Sequence, residues 1–150
     1  MAVDFELGKA PSYRIATLVA KGKWSENIGR PELAKLQSWA TEHHLKTGKV
    51  IFRWRPDETL EVGLEARGKA KSTGGIRWRT LPATAVARVT FDPDAVSPRV
   101  VYHGLNDWLR ARKKDKEVKS VGSSREVYPG DPWTDKSAWK HTSVEFTVRR

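Results

Sequence analysis

Leu36-Gln37-Ser38-Trp39 recurs 69 residues later, counted from Trp39 to Trp108, as Leu105-Asn106-Asp107-Trp108. The surroundings recur with it. Each tetrad has a β-prone run upstream (14–20 and 85–91), a helical stretch around it, and a downstream strand that ends in an aromatic, a proline and an acid. Those endings are Phe52-Arg53-Trp54-Arg55-Pro56-Asp57 and Glu126-Val127-Tyr128-Pro129-Gly130-Asp131. One β-α-β-β unit is thus written twice. Two copies related by a pseudo-twofold axis predict a groove between them, the kind of cleft in which small ligands sit.

The periodicities around the tetrads place the elements. Residues 1–12 read as a polar leader, and a strand begins near Tyr13 and stops at Gly22. Pro31 suits the first position of a helix and Glu32 its dipole-favoured first turn, with Leu33, Leu36, Trp39 and Ala40 as the apolar stripe. Val50, Phe52 and Trp54 alternate with Ile51, Arg53 and Arg55, the pattern of a half-buried strand. Pro56-Asp57-Glu58 turns the chain into a hairpin partner at about 60–67. The Gly- and Lys-containing stretch 68–75 is the linker, so repeat 1 covers about 13–67 and repeat 2 about 76–149. In the second copy Ser97 and Pro98 open a helix whose stripe is Val100, Val101, Leu105, Trp108 and Leu109. Residues 121–124 read as a turn, Trp133 and Trp139 fall in a loop, and the last strand alternates Val144, Phe146 and Val148 with Ser143, Glu145 and Thr147. The predicted fold class is α+β, an antiparallel sheet with two helices on one face and a tandem pseudo-twofold duplication.

Bulk composition narrows the chemistry. At 150 residues the chain is most simply one domain, and its seven Trp, three Tyr and four Phe exceed what packing alone needs. It contains no cysteine, which excludes disulfides, thiolate metal sites and thiol nucleophiles and points to a cytoplasmic setting. No secretory signal and no apolar run of about 20 residues is present, so no membrane partner is expected. A formal charge of +10 raises nucleic acid as a partner. Six basic residues between Arg110 and Lys119 have a plainer reading, because cations are favoured at a helix C-terminus by about 0.3–1 kcal/mol each.

Glu126 stands out. It precedes Tyr128 by two residues on a predicted strand, so both side chains emerge on one face while Arg125 and Val127 point oppositely. Aligned on Asp57 and Asp131, Glu126 matches Phe52 and Tyr128 matches Trp54. A carboxylate among rings is costly to ionise when unpaired, and a cationic guest relieves that cost. Aromatic faces add about 0.5–2 kcal/mol for a cation within reach, without demanding directional bonds. Tyr102 and Phe146 complete the candidate lining. The plainer alternative makes Glu126 a surface residue paired with Arg125, Arg149 or Lys140.

The run Ser124-Arg125-Glu126-Val127-Tyr128-Pro129-Gly130-Asp131-Pro132, preceded by Tyr102-His103-Gly104-Leu105-Asn106-Asp107-Trp108-Leu109, resembles the second half of a GyrI-like domain. That family includes the effector-binding domains of AraC-type and MerR-type multidrug regulators. The resemblance extends over about residues 13–149 and implies the tandem β-α-β-β fold. It also implies that Glu126, in an E-x-Y strand, lies at the base of an aromatic groove for hydrophobic, cationic compounds, with Tyr128 on the same wall. Two features depart from the family pattern: the strongly basic charge and the insertion at 118–123. Only 12 residues precede the first strand, so the expectation is a stand-alone binding protein with no cofactor, and a drug-sequestering role in place of transcription control.

Two other functions compete. Some GyrI-like proteins resemble hydrolases of electrophilic natural products, and Glu126 would then be a general base on water, with Glu65, Glu145 or Tyr102 as the second polar group. Catalysis is the less favoured reading. A nucleic-acid role rests on charge and on the Arg-Trp-Arg triplets 53–55 and 77–79, although on a strand such alternation also arises when Trp faces in and both Arg face out. Metal binding is not expected: His43 and His44 diverge by about 100° on a helix, and His103 and His141 have no partner at ligand spacing.

Overall fold

The computed structural model describes residues 3–150. In chain order the elements are β1 (Glu6–Ala10), β2 (Tyr13–Ala20), α1 (Arg30–Glu42), β3 (Lys46–Trp54), β4 (Leu60–Arg67), β5 (Arg77–Leu81), β6 (Thr84–Phe91), α2 (Pro98–Lys114), β7 (Ser120–Tyr128), α3 (Lys136–Lys140) and β8 (Thr142–Arg149). No helix among the described residues is long and apolar enough to cross a membrane.

The chain divides into two compact units, Ser12–Pro82 and a second made of Ala83–Arg150 with the N-terminal stretch that ends at Pro11. In the first unit the strand order is β3-β4-β2-β5, and in the second it is β7-β8-β6-β1, with antiparallel neighbours in both. The lead strand is third in each, with its hairpin on one side and a fourth strand on the other. That fourth strand follows the hairpin in the first unit and precedes the lead strand in the second. Residues 6–10, read as leader, therefore form β1 and pair with β6. At the edge of its unit β1 buries only Ala10 fully, so it lacks the apolar alternation that marks a strand in sequence. β5, placed by the sequence reading at the start of the second copy, pairs with β2.

A β-bulge interrupts both hairpins at matching places, between Thr47 and Val50 and between Val121 and Ser124. The offset is 74 residues, the same as that from Asp57 to Asp131. It also aligns Phe52 with Glu126, which pair across their hairpins with Val62 and Val144. Residues 121–124, expected as a turn, are thus a bulge within β7, where one extra residue bends the strand without ending it.

α1 packs on β2, β3 and β4 and buries Leu33, Leu36, Trp39 and Ala40. Full burial of each leucine contributes about 1.5–3 kcal/mol. Its N-cap is Gly29, at φ 86°, where a Cβ would meet Val62 Cγ2 at 3.0 Å and Leu60 Cδ2 at 3.1 Å. Only glycine adopts that conformation freely. In the second unit α2 lays Val101, Leu105 and Leu109 over Ala87, Val89, Phe91, Val144 and Val148. Val100, predicted within that stripe, is 62% exposed, because adjacent helix positions point about 100° apart. Ser97 occupies the N-cap of α2 but makes no side-chain capping bond.

Three further expectations are corrected. Val50, Ile51 and Phe52 are all buried, so β3 is covered on both faces there. Glu145, expected on a polar face, is buried and bound to Arg125 Nε at 2.9 Å and Arg88 Nε at 2.7 Å, which compensates its charge. The loop with Trp133 and Trp139 contains α3, capped by Asp135, whose carboxylate accepts from the backbone N–H groups of Ser137 and Ala138.

Candidate functional site

Strand β7 places Glu126 opposite Val144, on the face that α2 covers. Tyr128 shares that face two residues on, and is buried. From α2, Tyr102 reaches down and donates its hydroxyl to Glu126 Oε1 at 3.1 Å. Tyr128 donates to Glu126 Oε2 at 2.5 Å. The ring of Phe146 stands edge-on to that of Tyr102, with centroids 6.2 Å apart and planes at 79°. Glu126, Tyr128, Tyr102 and Phe146 are therefore gathered within the second unit.

The opposite face of β7 has a different electrostatic character. Arg125, buried beside Glu126 in sequence, points away from it and pairs with Glu145, which also holds Arg88; Arg88 in turn lies 3.8 Å from Glu6. Among the described residues no Lys, Arg or His side chain forms an ion pair with Glu126. Its partners are two neutral phenols. That overturns the plainer reading in which Arg125 neutralises Glu126.

Both phenols are pushed well above the ordinary tyrosine range, first by burial, then by the Glu126 charge and by the hydrogen bond made to it. At neutral pH they remain protonated donors. Hydrogen bonds from a phenol to a carboxylate are charge-assisted and stronger than neutral ones, so the pair fixes both oxygens of Glu126 without cancelling its charge. The site can thus present a fixed anion beside aromatic surface.

Phe52 and Trp54 lie in the first unit, on the face of β3 that meets α1. Phe52 is buried opposite Val62, and Trp54, opposite Leu60 at the strand end, is 38% exposed. At matching positions of the duplication, Phe52 stands for Glu126, Trp54 for Tyr128 and Leu33 for Tyr102. The first copy is the apolar version of the arrangement, and only the second carries hydroxyls and a carboxylate. The clamp of two phenols was missed in the sequence, although the exchange of Leu33 for Tyr102 between copies is the signal that marks it.

The other polar candidates are committed elsewhere. Glu65 accepts from the backbone N–H of Lys49 at 3.1 Å, and Glu145 is held by two arginines. The rings of His43 and His141 bond to the carbonyls of Trp39 and Ser137, and among the described residues no group of three His, Asp or Glu could hold a metal. Trp39 is buried packing, as predicted.

No family model and no curated protein matches the chain. Solved structures do. The C-terminal domain of EcmrR aligns over 100% of this chain and 99% of that domain, with a TM-score of 0.68 at 14% identity. EcmrR in complex with DNA aligns over 99% of this chain, with a TM-score of 0.67 at 16% identity, and the chain spans 58% of its length. A hydrolase from Listeria innocua aligns over 97% of this chain and 91% of its own, with a TM-score of 0.63 at 8% identity. At these identities the likeness is one of fold. The chain has a GyrI-like, duplicated β-α-β-β fold.

Proposed function

We propose that the protein binds hydrophobic, cationic aromatic small molecules, with the Glu126 carboxylate as the selecting charge. The observation that carries this reading is a half-buried carboxylate that accepts from two phenols and, among the described residues, has no cationic side chain in an ion pair with it. A lipophilic cation supplies the missing charge, and the rings of Tyr102, Tyr128 and Phe146 supply apolar contact. Ligands of differing shape are accommodated because ring faces and one point charge demand little directional bonding. Sequestration of such compounds is the proposed role.

The test is thermal denaturation with a bulky aromatic quaternary cation and with its neutral carbon analogue, on the wild type and on Glu126→Gln. At 100 times its dissociation constant the cation stabilises the wild type by about 2.7 kcal/mol. The expected result is a melting shift for the cation that the neutral analogue does not match and that the Gln variant loses. Equal shifts for both molecules in both proteins would remove Glu126 from ligand selection. Hydrolysis is the second proposal for the same carboxylate: with both phenols protonated, Glu126 is the proton acceptor among these groups. Product release from a strained electrophile that Glu126→Gln abolishes would turn the binding site into an active site.

A further inference from the structure

We propose that the first unit carries a separate binding site for single-stranded nucleic acid at the turn between β3 and β4. Trp24 is 73% exposed and Trp54 38% exposed, and both line an open recess of about 680 Å³ together with Gly22, Lys23, Arg55, Asp57, Glu58 and Thr59. Tryptophan is ordinarily highly buried. Two indoles offered to solvent at one recess are a stacking platform, since every base has a π-face.

The turn that presents them is braced. Asp57 Oδ1 accepts from the backbone N–H of Thr59 at 3.1 Å and from its hydroxyl at 2.5 Å, while Arg55 N–H bonds the carbonyl of Thr59 at 2.9 Å. The triplet Arg53-Trp54-Arg55 is split by this geometry. Arg53 points to the other face of β3 and pairs with Glu61 at 3.3 Å, whereas Trp54 and Arg55 both line the recess. Trp54 keeps the α1 side of β3, as the alternation requires, but at the strand end it is 38% exposed.

Charge selects the ligand. Among the described residues neither Lys23 nor Arg55 is in an ion pair, and although the Arg55 charge acts on the nearby Asp57 carboxylate, both cations line the recess where phosphates would pass. Asp57 and Glu58 share the rim, but the Asp57 carboxylate is turned onto Thr59, and the whole chain carries +10. A polyanion is drawn to such a surface, and a lipophilic cation meets Lys23 and Arg55. Neighbouring bases of a strand stack on Trp24 and Trp54 while their phosphates meet the two cations. This inference does not rest on the Glu126 reading.

The test measures anisotropy of a labelled oligothymidylate against the full chain, with thymidine monophosphate as competitor, across about 50 to 200 mM salt. Wild type is expected to bind with a log–log salt slope of at least about −1.4, the value for two single-strand phosphate contacts. Trp24→Ala is expected to weaken binding roughly five- to 150-fold, the loss of one base stack, at unchanged slope. Arg55→Glu is expected to flatten the slope by about 0.7 or more. Both variants keep the cation-induced melting shift. No binding at the lowest salt, full affinity in Trp24→Ala, or competition by the mononucleotide as strong as by the strand would each overturn the proposal.

Discussion

At the scale of single residues the second unit holds a carboxylate in a clamp of two phenols, and each contact has a measurable consequence. Tyr128→Phe removes the donor from Glu126 Oε2. Leaving a half-buried acceptor unmade costs about 1–3 kcal/mol, so urea denaturation is expected to give a midpoint below that of the wild type. An unchanged midpoint would mean that the oxygen finds another donor. The clamp also makes stability depend on alkaline pH. Tyrosine in the unfolded chain ionises near about 10, while burial, the Glu126 charge and the hydrogen bond hold Tyr102 and Tyr128 higher in the folded state. As pH rises past 10 the unfolded chain releases these protons first, so the contribution is complete below that value and is lost above it. Lysines titrate in the same range, and the comparison with Tyr102→Phe/Tyr128→Phe isolates the phenols. The double variant is expected to lose stability less steeply between about pH 9.5 and 11.5; parallel curves would contradict the assigned cause. At this scale the sequence exposed Glu126 and Tyr128, because their two-residue spacing fixes a shared face. It did not expose the fate of Arg125, since which cross-strand acid claims an arginine depends on register.

At the scale of elements the periodicity rules placed the two long helices and the lead strands well, since those segments bury one stripe or one face. They failed where burial or pairing is not periodic. β1 is an edge with one fully buried residue, the segment 121–124 is a bulge whose glycine and serines read as a turn, and α3 is five residues long and owes its start to one cap. Asp135→Ala is expected to cost about 1 kcal/mol and to fray α3, seen as faster amide exchange at Ser137 and Ala138. The junction into α1 is more demanding. Gly29→Ala adds about 1–2 kcal/mol of backbone strain at a left-handed φ, and its Cβ meets Val62 and Leu60. Its melting point is expected to fall, and an unchanged one would show that the helix start relaxes without strain. Glu145 joins β6, β7 and β8 through Arg88 and Arg125. Glu145→Ala removes the carboxylate that Arg88 and the buried Arg125 share, and is expected to cost about 3–5 kcal/mol in denaturation.

At the scale of the whole molecule the chain is a duplication whose copies have diverged in chemistry. Strand order, bulge and helix recur, while Leu33, Phe52 and Trp54 of the first copy become Tyr102, Glu126 and Tyr128 of the second. The tetrad repeat made the architecture legible because helices with the same apolar stripe seat on sheets in the same way. The source of the fourth strand was not legible, since β1 and β5 are supplied from opposite sides of the repeats and pairing partners leave no local pattern. Among the described residues no Lys, Arg or His side chain forms an ion pair with Glu126, so the net charge of +10 does not conflict with the proposed cation-selecting site. The most direct measurement is the position of a bound heavy-atom cation, a tetraarylarsonium ion, located by its anomalous signal in crystals of the wild type. The expected peak lies beside the Glu126 carboxylate, within about 6 Å of the Tyr102 or Tyr128 ring centre, and disappears in Glu126→Gln. A peak that persists in the variant, or that lies between Trp24 and Trp54 instead, would contradict that expectation.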